Sequence, residues 1–406
     1  MDLAPVILIL GALVFLAHFF ALVYARTRVP DVLFLIAIGL VLGPLTGIVK
    51  PEDLGAVGPV FVSVTLIFIL FEGGLGMDVK VLARALTGAA ALGILCFAAT
   101  LGIAFAFGVA FLALPPLSAA ILGAVIGGTS SAVVLPLVER LAMHEQTRTI
   151  LVLESALTDI LCVVVTLALL EAHKLGAFSF LDLGGEMLAA FLVSCLIGGG
   201  AGVLWAVILH RVRTLRNAMF LTPAFAFILC AVVDMLHLNG YIAVLAMGVA
   251  VGNMELLRTP VLQRYLPDCP IRHTEGERLF FGEIVFLLKT FFFIFIGLSL
   301  HFRDLWGLVL GGILVLILFL MRGGAVRIVF RRSGPPEDAV LTAVILPKGL
   351  AAAVLASLPL HAGVLGGETI QEITFMVILL SILLTSVGVF AALRTPFGGW
   401  YRRLYE

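Results

Sequence analysis

The sequence predicts an all-α membrane protein of thirteen transmembrane helices, arranged as an inverted repeat with two discontinuous helices. Three observations predict it. Of 406 residues, 62% are hydrophobic and 12% charged, with mean hydropathy +1.21, against roughly 45–50% apolar and about 25% charged in an ordinary soluble domain. Lysine and arginine fall almost entirely on alternate loops between the apolar stretches. Three pairs of glycine- or proline-bearing motifs also recur in the same order, seven spans apart.

The apolar stretches run approximately 4–25, 31–49, 54–76, 86–113, 117–141, 146–171, 183–209, 217–236, 240–254, 277–300, 304–330, 338–360 and 368–393. Most match the roughly 20 residues needed to cross a hydrocarbon layer about 30 Å thick. The first is a span and not a removable signal peptide, because Met1–Tyr24 lacks a basic leader and a small-residue cleavage site. Loops are short except at 255–276, which holds Pro260, Pro267 and Pro270. Of the 25 lysines and arginines, only Lys50, Lys174 and Arg303 fall on outward loops when the N-terminus is outside; Lys289, Arg322 and Lys348 lie within spans, and the rest face inward. That asymmetry is the positive-inside pattern, and one missed span would scramble it. It places the N-terminus outside and the C-terminus in the cytoplasm.

Span two contains Ala37-x-Gly39-x-x-x-Gly43, and span nine contains Ala246-x-Gly248-x-x-x-Gly252. Span three ends IFILFEGGLGMD, matched in span ten by FFFIFIGLSLHFRD. Span five carries AVIGGTSSAVVL from Ala124, matched in span twelve by AVILPKGLAAAVL from Ala343. Seven is odd, so the two copies cross the bilayer in opposite directions. Such repeats place a substrate site near the midplane, between interrupted helices. The interruptions are legible as Gly127-Gly128-Thr129-Ser130-Ser131 followed by Pro136, and as Pro347-Lys348-Gly349. Irregular backbone at that depth is tolerated only where protein or a polar cavity surrounds it.

An ionisable side chain mid-membrane costs about 2.5–3.5 kcal/mol on insertion scales and needs a reason to be there. Span six holds Glu154, Ser155, Thr158 and Asp159 at spacings that share one helical face, extended by Cys162 and Thr166. A stripe of this kind faces a cavity or another polar helix. Lys289, midway along span ten, is too central to snorkel and calls for an anion, with Asp159 or Glu154 as the candidates. Lys348, at the second interruption, needs a partner as well. Glu72 lines a cytoplasmic funnel or caps span three, and Arg322, near the inner end of span eleven, is expected to snorkel. Net charge is +0, which points to no nucleic-acid partner. Cys96, Cys162, Cys195, Cys230 and Cys269 form no CxxC, and the histidines form no HExxH. No phosphate-binding loop or nucleophile elbow is present, so the expectation is a transporter that needs no cofactor and is not an enzyme.

These residues suit a monovalent cation. Asp159 supplies a carboxylate, Ser155, Thr158 and Ser130 supply hydroxyls, and the unwound segment at Thr129 supplies backbone carbonyls. Asp159, Ser155 and Thr129 are the expected metal ligands. A carboxylate must be deprotonated to hold a metal, so proton and cation compete for Asp159. Exchange follows if the site crosses only when occupied.

RVPDVLFLIAIGLVLGP, LFEGGLGMD, GGTSSAVVLPLVERL, LVLESALTDILCVV, FLLKTFFFIFIGLSL and LPKGLAAAVLASLP together resemble the monovalent cation:proton antiporter superfamily, over essentially the whole chain. The resemblance implies the sodium/proton antiporter fold with two crossed discontinuous helices. It also implies one transporter domain over 1–406, with core helices at about 54–171 and 277–393 and dimerisation helices at about 1–50 and 183–254. It further implies homodimers in the bacterial inner membrane, exchanging H⁺ for Na⁺ or K⁺ by alternating access in the service of pH homeostasis. By resemblance Asp159 is the essential aspartate, while Ser155, Glu72 and the Thr129 backbone take ion-coordinating positions. Lys289 is the span-ten base, and Glu154 is a structural acid paired with a base of the broken-helix region, here Lys348. Two residues depart from the family pattern. Thr158 stands where electroneutral members carry Asn and electrogenic ones Asp, and Ser130 stands where some exchangers carry Asp. With no cytosolic domain after the last span, regulation by one is not expected. The alternative function is sodium-coupled symport of an organic anion, which would favour Asn, Gln and Glu at the sodium sites and no mid-span lysine. A membrane-embedded enzyme would need a nucleophile–base pair or metal ligands, and the sequence shows neither.

Overall fold

The computed structural model describes residues 31–49, 57–76, 89–138, 143–175, 183–212, 220–236, 238–255, 275–300, 305–330 and 336–394, with isolated positions between 11 and 19 and at 79 and 141. Most of the first candidate span therefore lies outside the described residues. So do Cys269, the three prolines of the 255–276 loop, and many of the basic residues that orient the chain, Lys50 and Arg303 among them.

The described residues are helical apart from turns and short links, and no strand occurs among them. Helix α1 (Asp31–Leu40) passes into a π turn at Val41–Leu45 that holds Pro44, a geometry that absorbs a residue with no N–H to donate. Then come α2 (Val57–Gly76), α3 (Ala89–Phe111) and the short pair α4 (Pro116–Val125) and α5 (Ser131–Val138). Next are α6 (Glu145–Leu175), α7 (Leu183–Val212), α8 (Leu221–Met235), α9 (Gly240–Gly252), α10 (Glu275–Ser299) and α11 (Leu305–Phe330). A second short pair, α12 (Pro336–Val344) and α13 (Leu350–His361), precedes α14 (Gly367–Arg394). Local chemistry sets several starts. Pro116 opens α4 where a missing N–H costs nothing, and the Asn239 side chain accepts from the Ile242 amide to cap α9.

Six described helices, α3, α6, α7, α10, α11 and α14, are long and apolar enough to cross a bilayer. Predicted spans five and twelve each resolve into two short helices, with links at 126–130 and 345–349. Both interruptions fall at the glycine- and proline-bearing segments. Pro136 is not part of the first break, because it lies within α5.

The chain forms two compact units. Residues 1–58, 85–166 and 289–406 make up the first, which holds both broken helices. Here α11 packs against α3, α12 and α14, and α4 against α3, α13 and α14. Val134, Leu137, Leu151, Leu341, Ile345 and Val389 form one apolar core of this unit, linking α5, α6 and α14 to the second broken helix. Asp338, in the first turn of α12, accepts the His144 amide at 3.1 Å, tying that helix to the start of α6.

Residues 59–84 and 167–288 make up the second unit, in which α7 lies closely along α9 with α8 beside both. A Cβ at Gly198 would overlap the Ala243 carbonyl. Such glycine contacts are how helices associate where lipid is as apolar as the side chains. Phe68 stacks edge-on against Phe227, with ring centroids 5.7 Å apart, and Phe71 meets Phe281 at 5.4 Å.

The repeated motifs reappear as repeated contacts, one set inside each unit. In the first, Gly39 of α1 meets Gly297 of α10 and Gly43 meets Leu298. In the second, the equivalent Gly248 of α9 meets Gly74 of α2 and Gly252 meets Leu75. In each close pair a Cβ would run into the opposing backbone, so these glycines serve approach and not flexibility.

Candidate functional site

The site lies in the first unit, where the two breaks meet. Past the end of α4, Gly127 leaves room for the Phe97 ring, and Gly128 lies against α6. A Cβ on Gly128 would sit 2.7 Å from Cys162 Sγ and 3.1 Å from the Thr158 carbonyl oxygen. Gly128→Ala is therefore expected to cost about 1–3 kcal/mol by overpacking, read as a lowered thermal midpoint in detergent.

The three backbone amides that follow all find partners away from their own helix. Thr129 N–H donates to Thr158 Oγ (3.0 Å), Ser130 N–H to the Pro347 carbonyl (2.8 Å), and Ser131 N–H to Asp159 Oδ2 (3.2 Å). The Ser131 hydroxyl donates to the same Oδ2 at 2.6 Å. At the other break, Lys348 Nζ donates to the Gly128 carbonyl (2.9 Å). The Lys348 and Leu346 amides donate to the Ser381 and Thr385 hydroxyls of α14 (2.9 and 3.3 Å). These backbone amides of both interruptions are thus satisfied inside the protein, as hydrocarbon requires.

The half-helices also set the charges. Asp159 stands at the N-terminus of α5, where the helix dipole favours an anion, and the Lys348 ammonium sits on a carbonyl just past the C-terminus of α4, where it favours a cation. Among the charges acting on Asp159 are Lys348, in attraction, and Glu154 of its own helix, in repulsion.

Glu154 is fully buried and forms a bidentate pair with Arg322, at 2.5 and 2.7 Å. Arg322 also donates to the Thr342 carbonyl (3.3 Å) and to Cys96 Sγ (3.3 Å), and its exposure is 0%. Two expectations are corrected here. Arg322 does not snorkel; it lies five residues deeper than Arg327, about 7 Å along the helix, and turns inward to a carboxylate. Glu154 is paired with Arg322 and not with Lys348, because the planar guanidinium fork matches both its oxygens, while the Lys348 ammonium is taken by a carbonyl.

Thr158 is fully buried; its hydroxyl donates to the Ser155 carbonyl (3.2 Å) and accepts from Thr129. Ser155 is also buried and donates to the Val152 carbonyl (2.9 Å), while the Thr129 hydroxyl donates to Glu154 (3.3 Å). The Ser130 hydroxyl lies against Gly349 and is buried without a hydrogen-bond partner among the described residues. Lys289 is half-buried on α10, and Glu72 is half-buried on α2 of the second unit. Ser131, in direct contact with Asp159, was not predicted. Its signal was the paired serine in GGTSSAVV, whose two members point about 100° apart on a helix, so the choice between them depends on where α5 restarts.

The sequence pattern of the sodium/hydrogen exchanger family, transmembrane region, matches residues 11–395. The chain belongs to that family. Its sodium/hydrogen exchanger relatives include the K⁺/H⁺ antiporter NhaP of Alkalimonas amylolytica, 26% identical over 98% of this chain and 67% of that protein. The Na⁺/H⁺ antiporter 1 of Methanocaldococcus jannaschii is 25% identical over 79% of this chain and 75% of that one. The fold is that of the sodium proton antiporter MjNhaP1 from M. jannaschii, with TM-score 0.69 and 20% identity over 95% of this chain and 100% of that chain. These exchanger relatives are transporters, and family and apolar helices together make this an integral membrane protein. Neither relative is named as an organic-anion symporter.

Proposed function

We propose that the protein exchanges H⁺ for Na⁺ or K⁺ by alternating access, with Asp159 holding proton and cation in turn. One observation carries this reading. Glu154 is locked to Arg322, which leaves Asp159 as the acid at the crossed breaks that is free of an ion pair among the described residues, with its Oδ1 accepting no hydrogen bond. Ser155 and Thr158 direct their hydroxyl protons to carbonyls of their own helix, so their remaining lone pairs suit a cation. Thr129 and Ser130 add oxygens from the break. A single carboxylate serving both ions gives electroneutral one-for-one exchange; proton release from Lys289 as well would make it electrogenic. The proposed working form is a homodimer in a bacterial inner membrane, N-terminus outside, contributing to pH homeostasis.

Proton flux in proteoliposomes, titrated with Na⁺, K⁺ and Li⁺ over a pH series, tests the proposal. Competition at one carboxylate predicts that on the acid side the half-saturating cation concentration rises up to about tenfold per unit fall in pH. A pH-independent half-saturation would defeat shared binding. Flux insensitive to an imposed membrane potential is expected for the electroneutral cycle.

A further inference from the structure

Two hydroxyls of α14 hold the second break by its backbone. Thr385 Oγ accepts the Leu346 amide at 3.3 Å, and Ser381 Oγ accepts the Lys348 amide at 2.9 Å. Between those two residues lies Pro347, which has no N–H to donate. Its carbonyl turns the other way and accepts the Ser130 amide of the first break at 2.8 Å. Residues 345–349 belong to no helix, and this alternation is that of an extended chain, whose successive residues point to opposite sides. The spacings agree. Two extended residues advance about 6.6 Å, and residues four apart on a helix are separated by about 6 Å along its axis. A slip of one residue would set Pro347 against a hydroxyl, with nothing to give it.

We propose that Ser381 and Thr385 form a register lock that holds the second break against α14 and, through it, sets the cation preference of the site at the first break. The proposal rests on the reading that the cation is held at the first break. The lock fixes the Pro347 carbonyl and Lys348, and these hold the Ser130 amide and the Gly128 carbonyl, on either side of Thr129. The oxygens of Thr129 and Ser130 are thereby placed from α14. A cation site discriminates by the number and placement of its oxygens, so a break free to shift relaxes the choice. The Ser381 proton is spent on the Ile378 carbonyl at 3.0 Å, which leaves its oxygen to accept the Lys348 amide. Leu346, Lys348, Ser381 and Thr385 are all buried, so solvent does not replace a lost hydroxyl. Both α14 residues are positioning residues, and neither need touch the cation.

The test is proton flux of reconstituted variants at one fixed pH, with Li⁺, Na⁺ and K⁺ titrated separately and thermal midpoints in detergent taken alongside. Ser381→Ala leaves the Lys348 amide without its acceptor. Its half-saturating concentration for the preferred cation is expected to rise about tenfold, and the ratio between the preferred cation and the next to fall about threefold. Thr385→Val, of the same shape without the acceptor, should shift both in the same direction. Ser381→Thr and Thr385→Ser, which keep the hydroxyls, should restore both quantities. Ser381→Cys, a weak acceptor, should follow the alanine variant and serves if that variant does not fold. Half-saturations and ratios superimposable on wild type overturn the proposal. So does a lowered thermal midpoint with an unchanged cation ratio, which marks a merely structural role. Asp159→Asn separates the two levels of the argument. Exchange persisting in that variant removes the carrier reading itself, whereas an inactive Asp159→Asn beside an unchanged cation ratio in Ser381→Ala removes only the lock.

Discussion

Replacing Asp159 with Asn is expected to bring cation-dependent proton flux down to the level of empty liposomes. The carboxamide has nearly the volume of the carboxylate, and its oxygen still accepts from the Ser131 hydroxyl and amide. The α5 N-terminus therefore keeps its cap, and the fold should survive. What is lost is the capacity to take up a proton and the negative charge that balances a cation. A neutral site also adds no desolvation cost in the membrane interior, so the thermal midpoint in detergent should not fall. The decisive comparison is flux per folded protein, with size-exclusion profiles matched to wild type. Sustained exchange by Asp159→Asn would remove Asp159 from the centre of the mechanism, and a search for another carboxylate would begin with Glu72.

The second large effect concerns Arg322. Truncation to Met keeps the bulk of the side chain but strands the Glu154 carboxylate, whose exposure is 0%. Removing one partner of a buried pair costs about 3–5 kcal/mol, because the remaining charge is left without compensation. Thermal unfolding in detergent should show Arg322→Met strongly destabilised. The double change Arg322→Met with Glu154→Leu should recover most of the loss, since replacing both partners by apolar groups is often close to neutral. The double-mutant cycle isolates the coupling from general damage. Single and double variants of equal stability would show that the pair does not hold α3, α6, α11 and α12 together.

The sequence announces some of this arrangement and conceals the rest for physical reasons. Both breaks were legible because glycine, proline and lysine in the middle of an apolar span have few bland explanations. The polar stripe of α6 followed from helical periodicity, and five of its members, Glu154, Ser155, Thr158, Cys162 and Thr166, are fully buried. Gly39, Gly43, Gly248 and Gly252 were legible as a repeated motif, and each proved to be a point of backbone contact. Partners were harder to read. Hydropathy gives the depth of Arg322 only to within a turn or two and does not say which carboxylate lies across from it. Lys348 is held by a backbone carbonyl, Gly128, which has no signature in residue type. That Ser131 joins Asp159 turned on a single residue in the start of α5, finer than sequence patterns resolve.

Return to the amide of Ser130 on the Pro347 carbonyl, and the ammonium of Lys348 on the Gly128 carbonyl. Each interrupted helix supplies what the other lacks, so neither can be withdrawn without baring a polar atom to hydrocarbon. The pair behaves as a yoke. In the proposed exchange cycle, a displacement that carries Asp159 from one side of the membrane to the other is expected to take both interruptions with it, so that the binding pocket would travel intact instead of being dismantled and rebuilt at every turnover.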